Sequence, residues 1–242
     1  MLARIQTAVS LLYPPRCLGC GDMVESDFGL CGPCWRETSF IGGTVCESCG
    51  TPLPGAVDGH RIECDDCMAH PHPWSHGRAA LMYEGRARQL VLALKHGDRP
   101  EIARPAGRWL AHVARTILVP DTIVVPVPLH WSRFLKRRYN QSALLAQSLA
   151  QELGNEVCPD LLLRRKRTAT LEGKTAEQRF ITLKDAIQVN PNRLERLQGR
   201  TVLLIDDVMT TGATLSACCL ACQASGAKDV RVLTLARVAM DA

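Results

Sequence analysis

Eight of the twelve cysteines form four CxxC pairs within the first 67 residues. The pairs are Cys17/Cys20, Cys31/Cys34, Cys46/Cys49 and Cys64/Cys67. In each pair a tight turn presents both sulfur atoms to one ion, and zinc takes four such ligands in a tetrahedral arrangement. The spacing therefore predicts two structural zinc ions, because eight thiolates fill every coordination position and leave none for water or substrate.

The spacing leaves the pairing of these turns open. Consecutive pairing produces two tandem zinc ribbons, CxxC-x10-CxxC and CxxC-x14-CxxC, whereas a cross-braced arrangement joins the first turn to the third. Disulfides and unbound thiols are the alternatives to metal. We expect a cytoplasmic protein, since the first fifteen residues lack the continuous apolar region of an export signal, and a reducing compartment favours metal over disulfides. The nearby histidines are expected at the surface: His60, His70, His72 and His76.

A second chemical pattern lies near the other end of the chain. Two adjacent carboxylates, Asp206 and Asp207, follow the apolar run 202–205. The next turn contains Thr210, Thr211, Gly212, Ala213 and Thr214. Its small residues allow close backbone approach, its hydroxyls can donate, and a helix beginning there attracts an anion. A ribose 5-phosphate fits both groups, with its diol on the acids and its phosphate on the turn. The alternative is a strand–turn–helix corner of an ordinary α/β protein.

From about residue 75 the sequence alternates between predicted strands and helices. The predicted strands are 79–83, 122–127, 201–205 and 230–235, and the predicted helices are 86–95, 101–118, 142–153 and 214–225. Continuous apolar strands separated by helices indicate a parallel sheet covered on both faces. We predict an α/β fold with a parallel doubly wound sheet in residues 76–242, preceded by a small zinc-ribbon domain in residues 1–75. Ligands of such sheets bind beyond the carboxyl ends of the strands, where the acidic pair is predicted.

The two predicted domains differ in charge. Residues 1–75 contain four basic and nine acidic residues, whereas residues 76–242 contain 25 basic and 15 acidic residues. The second domain is therefore the predicted host of an anionic ligand. Aromatic residues make up only 5% of the chain, so a broad stacking platform for single-stranded nucleic acid would have few rings. No run of 18 apolar residues exists, which excludes a membrane-spanning helix.

Several motifs together resemble a known family. The run VLLIDDVMTTGAT at 202–214 resembles the motif of type I phosphoribosyltransferases that binds 5-phosphoribosyl 1-diphosphate (PRPP). With the cysteine pairs and the runs YPPRCLGC (13–20), VPVPLH (125–130) and RRYNQ (137–141), nearly the whole chain resembles the ComF/GntX family. The resemblance implies a double zinc ribbon, a type I phosphoribosyltransferase-like domain, and PRPP bound together with Mg²⁺.

The resemblance also implies roles for individual residues. Asp206 and Asp207, the candidate catalytic residues, would accept hydrogen bonds from the ribose hydroxyls, and the turn at 210–214 would bind the 5-phosphate. The pyrophosphate would contact the loop at Val127, Pro128 and Leu129. Further candidates for the same anion are Lys95, Arg137, Asn140 and Gln141.

The chain departs from the family pattern at two places. Arg138 stands where the family usually has glycine. In segment 168–182, Leu171, Lys174 and Thr182 replace the usual Gln, Leu and Asn. This segment corresponds to the hood over the active site of true transferases.

The resemblance implies an accessory role in DNA uptake, natural transformation or use of external DNA, with single-stranded DNA and a helicase-like protein as partners. The alternatives are an active phosphoribosyltransferase of nucleotide metabolism with an unidentified acceptor, and a binding-only PRPP sensor whose ribbons dock a partner. The basic run 133–138 fits either anion binding or a solvated helix face. Three helical cysteines are predicted as small core residues, with a redox or metal role as the alternative: Cys218, Cys219 and Cys222.

Overall fold

The computed structural model describes residues 14–25, 29–55, 61–129, 138–164 and 186–239. The helices are α1 (Gly32–Arg36), α2 (Asp65–Ala69), α3 (Gly85–His96), α4 (Ala103–Ala114), α5 (Gln141–Leu153), α6 (Leu194–Leu197) and α7 (Ala213–Ala224), with 3₁₀ turns at Pro100–Ile102 and Pro191–Arg193. The strands are β1 (His76–Met82), β2 (Ile123–Pro126), β3 (Glu156–Val157), β4 (Leu162–Arg164), β5 (Ile187–Val189), β6 (Thr201–Met209) and β7 (Asp229–Arg237).

Five strands form a parallel sheet in the order β1-β7-β6-β2-β3, and β4 pairs with β5 in a separate antiparallel hairpin. Each of the four predicted strands is present. The predicted end of β6 at residue 205 is wrong, because the strand continues to Met209. Asp206 lies opposite Thr234 and Val208 lies opposite Ala236 on β7. The backbone ladder with β7 thus carries the strand through both carboxylates, so the acidic pair belongs to β6 rather than following it.

The sheet is covered on both faces, as the continuous apolar strands predicted. Leu203 and Ile205 of β6 pack in the core with α3, α4 and α5. Val202 and Leu204 point the other way, because side chains alternate along a strand, and they pack with α7 and the β4–β5 hairpin. The core on this second face also includes three cysteines and a tryptophan from the first 75 residues: Cys46, Cys49, Cys67 and Trp74.

Proline and glycine set the ends of two helices. Helix α4 was predicted from residue 101 but begins at Ala103, after the 3₁₀ turn. Pro105 is tolerated in the first turn, since its missing N–H has no intrahelical partner there. Helix α5 ends at Gly154, whose φ of 71° is the left-handed conformation that glycine adopts most readily. No helix in the described ranges is long and apolar enough to cross a bilayer.

The cysteine-rich region is joined to the sheet by backbone hydrogen bonds. Phe40 forms an antiparallel bridge with Leu81, and the amide of Ile41 donates to the carbonyl of Ala80 at 2.9 Å. Further along β1, the amide of Gly77 donates to the carbonyl of Glu47 at 2.8 Å. These bonds pair the edge strand, whose open N–H and C=O groups would otherwise face solvent. The division into domains at residue 75 stays a prediction.

Candidate functional site

The cysteines form two groups of four, each with its ligand atoms within 4.8 Å of one another. The first tetrad is Cys17, Cys20, Cys31 and Cys34, and the second tetrad is Cys46, Cys49, Cys64 and Cys67. The turns therefore pair consecutively, and the cross-braced arrangement that the spacing left open is wrong. No disulfide joins the described cysteines, so the disulfide alternative is wrong as well.

The sulfur geometry fits zinc. A tetrahedron with zinc–sulfur bonds of about 2.3 Å has sulfur–sulfur edges of about 3.8 Å. The Cys20–Cys31 distance is 3.6 Å in the first tetrad, and the Cys49–Cys64 distance is 3.7 Å in the second. Two tetrads of this size support one structural zinc ion each.

Backbone amides point at the sulfurs and favour the thiolate, the form that zinc binds. The amides of Gly19 and Cys31 donate to the sulfur of Cys17 at 3.3 and 3.2 Å. Burial raises the pKa of Cys17, but the amides more than offset it and lower the pKa to about 6. In the second tetrad the amide of Cys64 donates to the sulfur of Cys46 at 3.3 Å.

The histidines that were expected at the surface differ in exposure, since one is exposed and two are half-buried. His70 is exposed, and its Nδ1 lies 3.5 Å from Asp66. His72 stacks on Trp74 with ring centroids 4.2 Å apart, and burial lowers its pKa. His76 is half-buried beside Glu47, whereas His60 lies outside the described residues. His72 is half-buried, with its ring stacked on the core residue Trp74.

A cleft of about 150 Å³ lies at the carboxyl ends of β2 and β6. The residues from the sequence prediction that line it are Lys95, Val127, Pro128, Leu129, Asn140, Gln141, Asp206, Asp207 and Thr214. The structure thus brings together residues from four separate parts of the chain. Ser142 also lines the cleft and was missed; its place directly after Asn140 and Gln141 was the available signal. Arg137 lies outside the described residues, and so does segment 168–182.

Asp206 is held by two hydrogen bonds inside the cleft. The hydroxyl of Ser142 donates to its Oδ1 at 2.8 Å, and the amide of Asp207 donates to the same oxygen at 2.9 Å. Burial and the adjacent Asp207 carboxylate raise the pKa of Asp206 to about 7, and the hydrogen bonds offset only part of this rise. Near pH 7 this carboxyl group is therefore divided between its neutral and charged forms.

Asp207 forms an ion pair with Lys95, whose Nζ lies 3.1 Å from Oδ1. Both side chains are largely buried, at 12% and 19% exposure respectively. Lys95 belongs to the last turn of α3, so the packing of that helix brings its ammonium group to the sheet edge. Lys95 is therefore already matched to a carboxylate, and an incoming anion would share it. Arg164 of β4 is a second cationic residue in the lining of the cleft.

The neighbouring loop begins α7 with the backbone conformation that the small residues predicted. Gly212 has a φ of 73° and is the residue immediately before the helix. Behind the loop, the buried Arg237 of β7 donates to the carbonyls of Met209 and Thr210. These bonds orient the backbone where the strand turns into the loop. Arg237 was not among the predicted site residues, although it is one of two charges in the otherwise largely apolar run 230–238.

Trp74 and His72 form a wall against this loop. A methyl group added at Gly212 would lie 2.8 Å from the Trp74 ring and 3.2 Å from His72. The Trp74 indole also donates to the carbonyl of Ser48 at 2.6 Å, inside the turn between Cys46 and Cys49. A single side chain thus connects the second tetrad to the loop at 210–214.

Two residues on the opposite side of the cleft have structural bonds of their own. Asn140 caps α5 by accepting from the amide of Ser142 at 3.1 Å, and its Nδ2 donates to the carbonyl of Val127 at 3.0 Å. Gln141 donates to the carbonyl of Lys95 at 3.4 Å. The amide of Val127 donates to Ile205 at 2.9 Å, and Pro128 has no amide hydrogen, so neither offers an anion a free N–H.

The backbone explains why a glycine is usual at position 138. Arg138 has a φ of 67°, which is left-handed and costs a residue with a side chain about 1–2 kcal/mol. Its guanidinium lies 3.0 Å from Asp98, which itself has a φ of 52°. Arginine at this position lacks the backbone freedom that glycine would have, but its side chain forms an exposed ion pair with Asp98.

The three helical cysteines are core residues, as predicted. Cys218, Cys219 and Cys222 have no exposed surface and pack between α7 and the sheet. Burial raises the pKa of Cys219 and of Cys222 to about 12. A buried neutral thiol is a poor nucleophile and a poor metal ligand.

Comparisons with known proteins match both parts of the chain. The family model described as a double zinc ribbon domain matches residues 8–68, and the model described as a phosphoribosyl transferase domain matches residues 140–241. The DNA utilization protein YhgH of Escherichia coli K12 is 35% identical over 217 residues, which cover 87% of this chain and 91% of that protein. Competence protein F of Haemophilus influenzae is 29% identical over 229 residues, covering 92% and 96%. Competence protein ComFC of Bacillus subtilis is 25% identical over 204 residues, covering 80% and 77%.

Proposed function

Because the chain belongs to the ComF family, which joins a double zinc ribbon to a phosphoribosyltransferase domain, we propose that its cleft binds PRPP or a related phosphoribosyl ligand. The observation that carries this proposal is a single cleft that brings together Asp206, Asp207 and Lys95, with Thr214 at the start of α7. A phosphorylated pentose carries a diol and two anionic groups, so it is complementary to a cleft that combines carboxylates, cationic side chains and a helix N-terminus.

Each part of the ligand has a counterpart in the cleft. The ribose hydroxyls donate to Asp206 and Asp207, and the 5-phosphate binds the loop at 210–214, where the N-terminus of α7 favours an anion. Lys95 and Arg164 are the cationic residues of the cleft lining and are candidates for the pyrophosphate, and Arg137 is a further candidate. A magnesium ion bound with PRPP would neutralise pyrophosphate charge, and carboxylates are oxygen ligands that it accepts.

We further propose an accessory role in the uptake or use of external DNA, in the cytoplasm. Two relatives are named competence proteins and another a DNA utilization protein. The excess of basic residues in 76–242 is compatible with contact to a nucleic-acid backbone. This role has single-stranded DNA as its ligand and a helicase-like uptake protein as its partner.

Two alternatives differ from this role in chemistry. An active transferase breaks the bond between C1 of PRPP and the pyrophosphate oxygen, which keeps the electron pair, and forms a bond from an acceptor nitrogen to C1. A binding-only sensor holds PRPP without breaking any bond. Pyrophosphate release with a nucleobase present supports the transferase, and PRPP binding without turnover or DNA affinity supports the sensor.

Calorimetric titration with PRPP and Mg²⁺ tests the cleft. The double variant Asp206→Asn/Asp207→Asn keeps the side-chain shape but loses the charged acceptors, and we expect its affinity to fall at least about 100-fold. The matched control is Glu195→Gln, which removes an exposed carboxylate on α6 and should bind like the wild type. Zinc content should stay at two ions per chain in both variants. Wild-type affinity in the double variant would overturn the site.

The DNA role is tested with a 20-nucleotide oligo(dT) at several salt concentrations. Binding whose log affinity falls linearly with log salt is expected for contacts to phosphates. No binding at low salt would contradict this role and would leave the PRPP proposal standing.

A further inference from the structure

A second cleft, of about 340 Å³, shares no residue with the PRPP cleft. Three of the eleven aromatic side chains of the protein line it: Trp35, Phe40 and Trp109. It lies between the first tetrad and α4, and Arg108 and His112 of α4 complete its rim. We call it the aromatic cleft.

The rings in the aromatic cleft are arranged as a stacking surface. Trp35 stacks on Phe40 with centroids 4.3 Å apart and an angle of 29° between the rings. Phe40 meets Trp109 edge to face at 5.3 Å and 87°. Phe40 thus holds Trp35 in place, yet 51% of the Trp35 surface stays exposed. Exposed aromatic surface of this kind beside a cavity marks a binding site more often than a random surface residue does.

The outer face of α4 beside these rings is basic. Arg104, Arg108, His112 and Arg115 are all exposed and recur at intervals of three or four residues, which places them on one side of the helix. Glu152 accepts from Arg108 at 3.1 Å, and both side chains stay largely solvated, at 36% and 57% exposure. An exposed pair of this kind contributes little energy, so the arginine can change partner at small cost.

We propose that the aromatic cleft binds unstacked bases of single-stranded DNA, while the basic face of α4 contacts the phosphates. Aromatic rings next to a row of cations are complementary to a strand that alternates flat bases with anions. Duplex DNA keeps its bases stacked inside the helix, so they are not available to the rings. A purely apolar peptide has no anions to pair with the row of cations. This inference rests on the proposed DNA role and names the surface that performs it.

Fluorescence anisotropy with a labelled 20-nucleotide oligo(dT) tests the proposal on the full-length protein. Loss of one base–aromatic stack is worth about 1–3 kcal/mol, so Trp35→Ala should weaken binding by about 5- to 150-fold. Trp35→Phe retains a stacking ring and should recover most of the affinity. Leu194→Ala, which removes an exposed apolar side chain on α6, is the matched control and should bind like the wild type. PRPP affinity should be unchanged in all three variants.

An oligonucleotide of abasic sites separates stacking from charge, because it keeps the phosphates without bases. Wild type and Trp35→Ala should bind it equally. Equal affinity of both proteins for oligo(dT) would overturn the proposal that the aromatic cleft is the DNA-binding surface. Failure of the wild type to bind oligo(dT) would overturn the DNA role itself. If the wild type sediments as a dimer and Trp35→Ala sediments as a monomer, the aromatic cleft is an interface with a second copy of the chain. That result would also overturn the proposal.

Discussion

The two cysteine tetrads have the same ligands but different surroundings. In the first tetrad Cys20 is exposed, and the link to the sheet domain includes an ion pair between Glu37 and Arg86 of α3. In the second tetrad Cys46, Cys49 and Cys67 are fully buried and belong to the core of the sheet's second face. Cys17 and Cys34 of the first tetrad are buried too, and Leu18 beside them packs in the core of the first face. Among the described residues, however, only the second tetrad contributes its metal ligands themselves to a hydrophobic core.

The glycines that follow the first CxxC turn of each tetrad show the same contrast. Gly21 and Gly50 both have positive φ, at 84° and 75°. An added methyl group at Gly21 would meet no atom within 4 Å, whereas one at Gly50 would lie 2.7 Å from the amide nitrogen of Ala79 on β1. The turn at Cys17–Cys20 needs glycine after it only for the backbone conformation. The turn at Cys46–Cys49 needs it also because β1 lies against it.

The largest difference is expected when one ligand is removed from each tetrad. Cys20→Ser and Cys49→Ser should each lower the zinc content to about one ion per chain. Cys49→Ser should also cost at least about 4 kcal/mol of folding free energy and lower Tm by about 10 °C or more, because its metal site is part of the core. Zinc analysis with thermal unfolding checks this. Equal losses of Tm in the two variants would contradict the contrast.

Trp74→Ala tests whether the second tetrad supports the PRPP cleft. Truncating a buried tryptophan costs about 3–5 kcal/mol, and here it also removes the wall behind Gly212. We expect the affinity for PRPP to fall about tenfold, which corresponds to about 1.4 kcal/mol. Trp74→Phe, which keeps a ring but loses the bond to Ser48, should lie between Trp74→Ala and wild type. PRPP titration of the folded variants below their Tm measures this, and full affinity in Trp74→Ala would show that the loop needs no wall.

The glycine pair offers a matched comparison of smaller size. Gly21→Ala should cost about 1–2 kcal/mol, the ordinary penalty of a left-handed residue with a side chain. Gly50→Ala carries the same penalty plus displacement of β1, and we expect about 1–3 kcal/mol more. Urea unfolding of both variants measures the difference. A Gly50→Ala protein as stable as Gly21→Ala would mean that the second tetrad can shift away from the sheet at no cost.

The smallest expected effect is a pH dependence of the folding stability, caused by Asp206 in the cleft beside the second tetrad. Folding raises the pKa of Asp206 to about 7, so its contribution to stability is present below about pH 4 and is lost as the pH rises through 7. The free energy of unfolding of Asp206→Asn should therefore exceed that of the wild type by about 1–2 kcal/mol at pH 8 and should equal it at pH 4. The gain should be accompanied by weaker PRPP binding. Unfolding curves at both pH values check this, and a gain of equal size at pH 4 would exclude the titration of Asp206 as its cause.

Much of the fold was predictable because its signals are local. The apolar runs at 122–127 and 201–205 predicted two central strands, and the predicted helix 142–153 matches α5, which ends before the left-handed Gly154. The CxxC spacing predicted metal because two residues between cysteines are enough to form the ligand turn. The end of β6 was missed, since a carboxylate is unfavourable in a strand unless a neighbour such as Ser142 bonds it, and that neighbour lies 64 residues away.

The sequence by itself determined the kinds of chemistry present: eight thiolates in ligand turns, an acidic pair, and a small-residue loop before a helix. These depend on residues within a few positions of one another. Only the tertiary structure decided which turns share a metal, which tetrad enters the core, and that Trp74 lies against Gly212. Trp74 and Gly212 are more than 100 positions apart in the sequence, and the packing of the whole sheet determines whether a given side chain is buried beside a given loop.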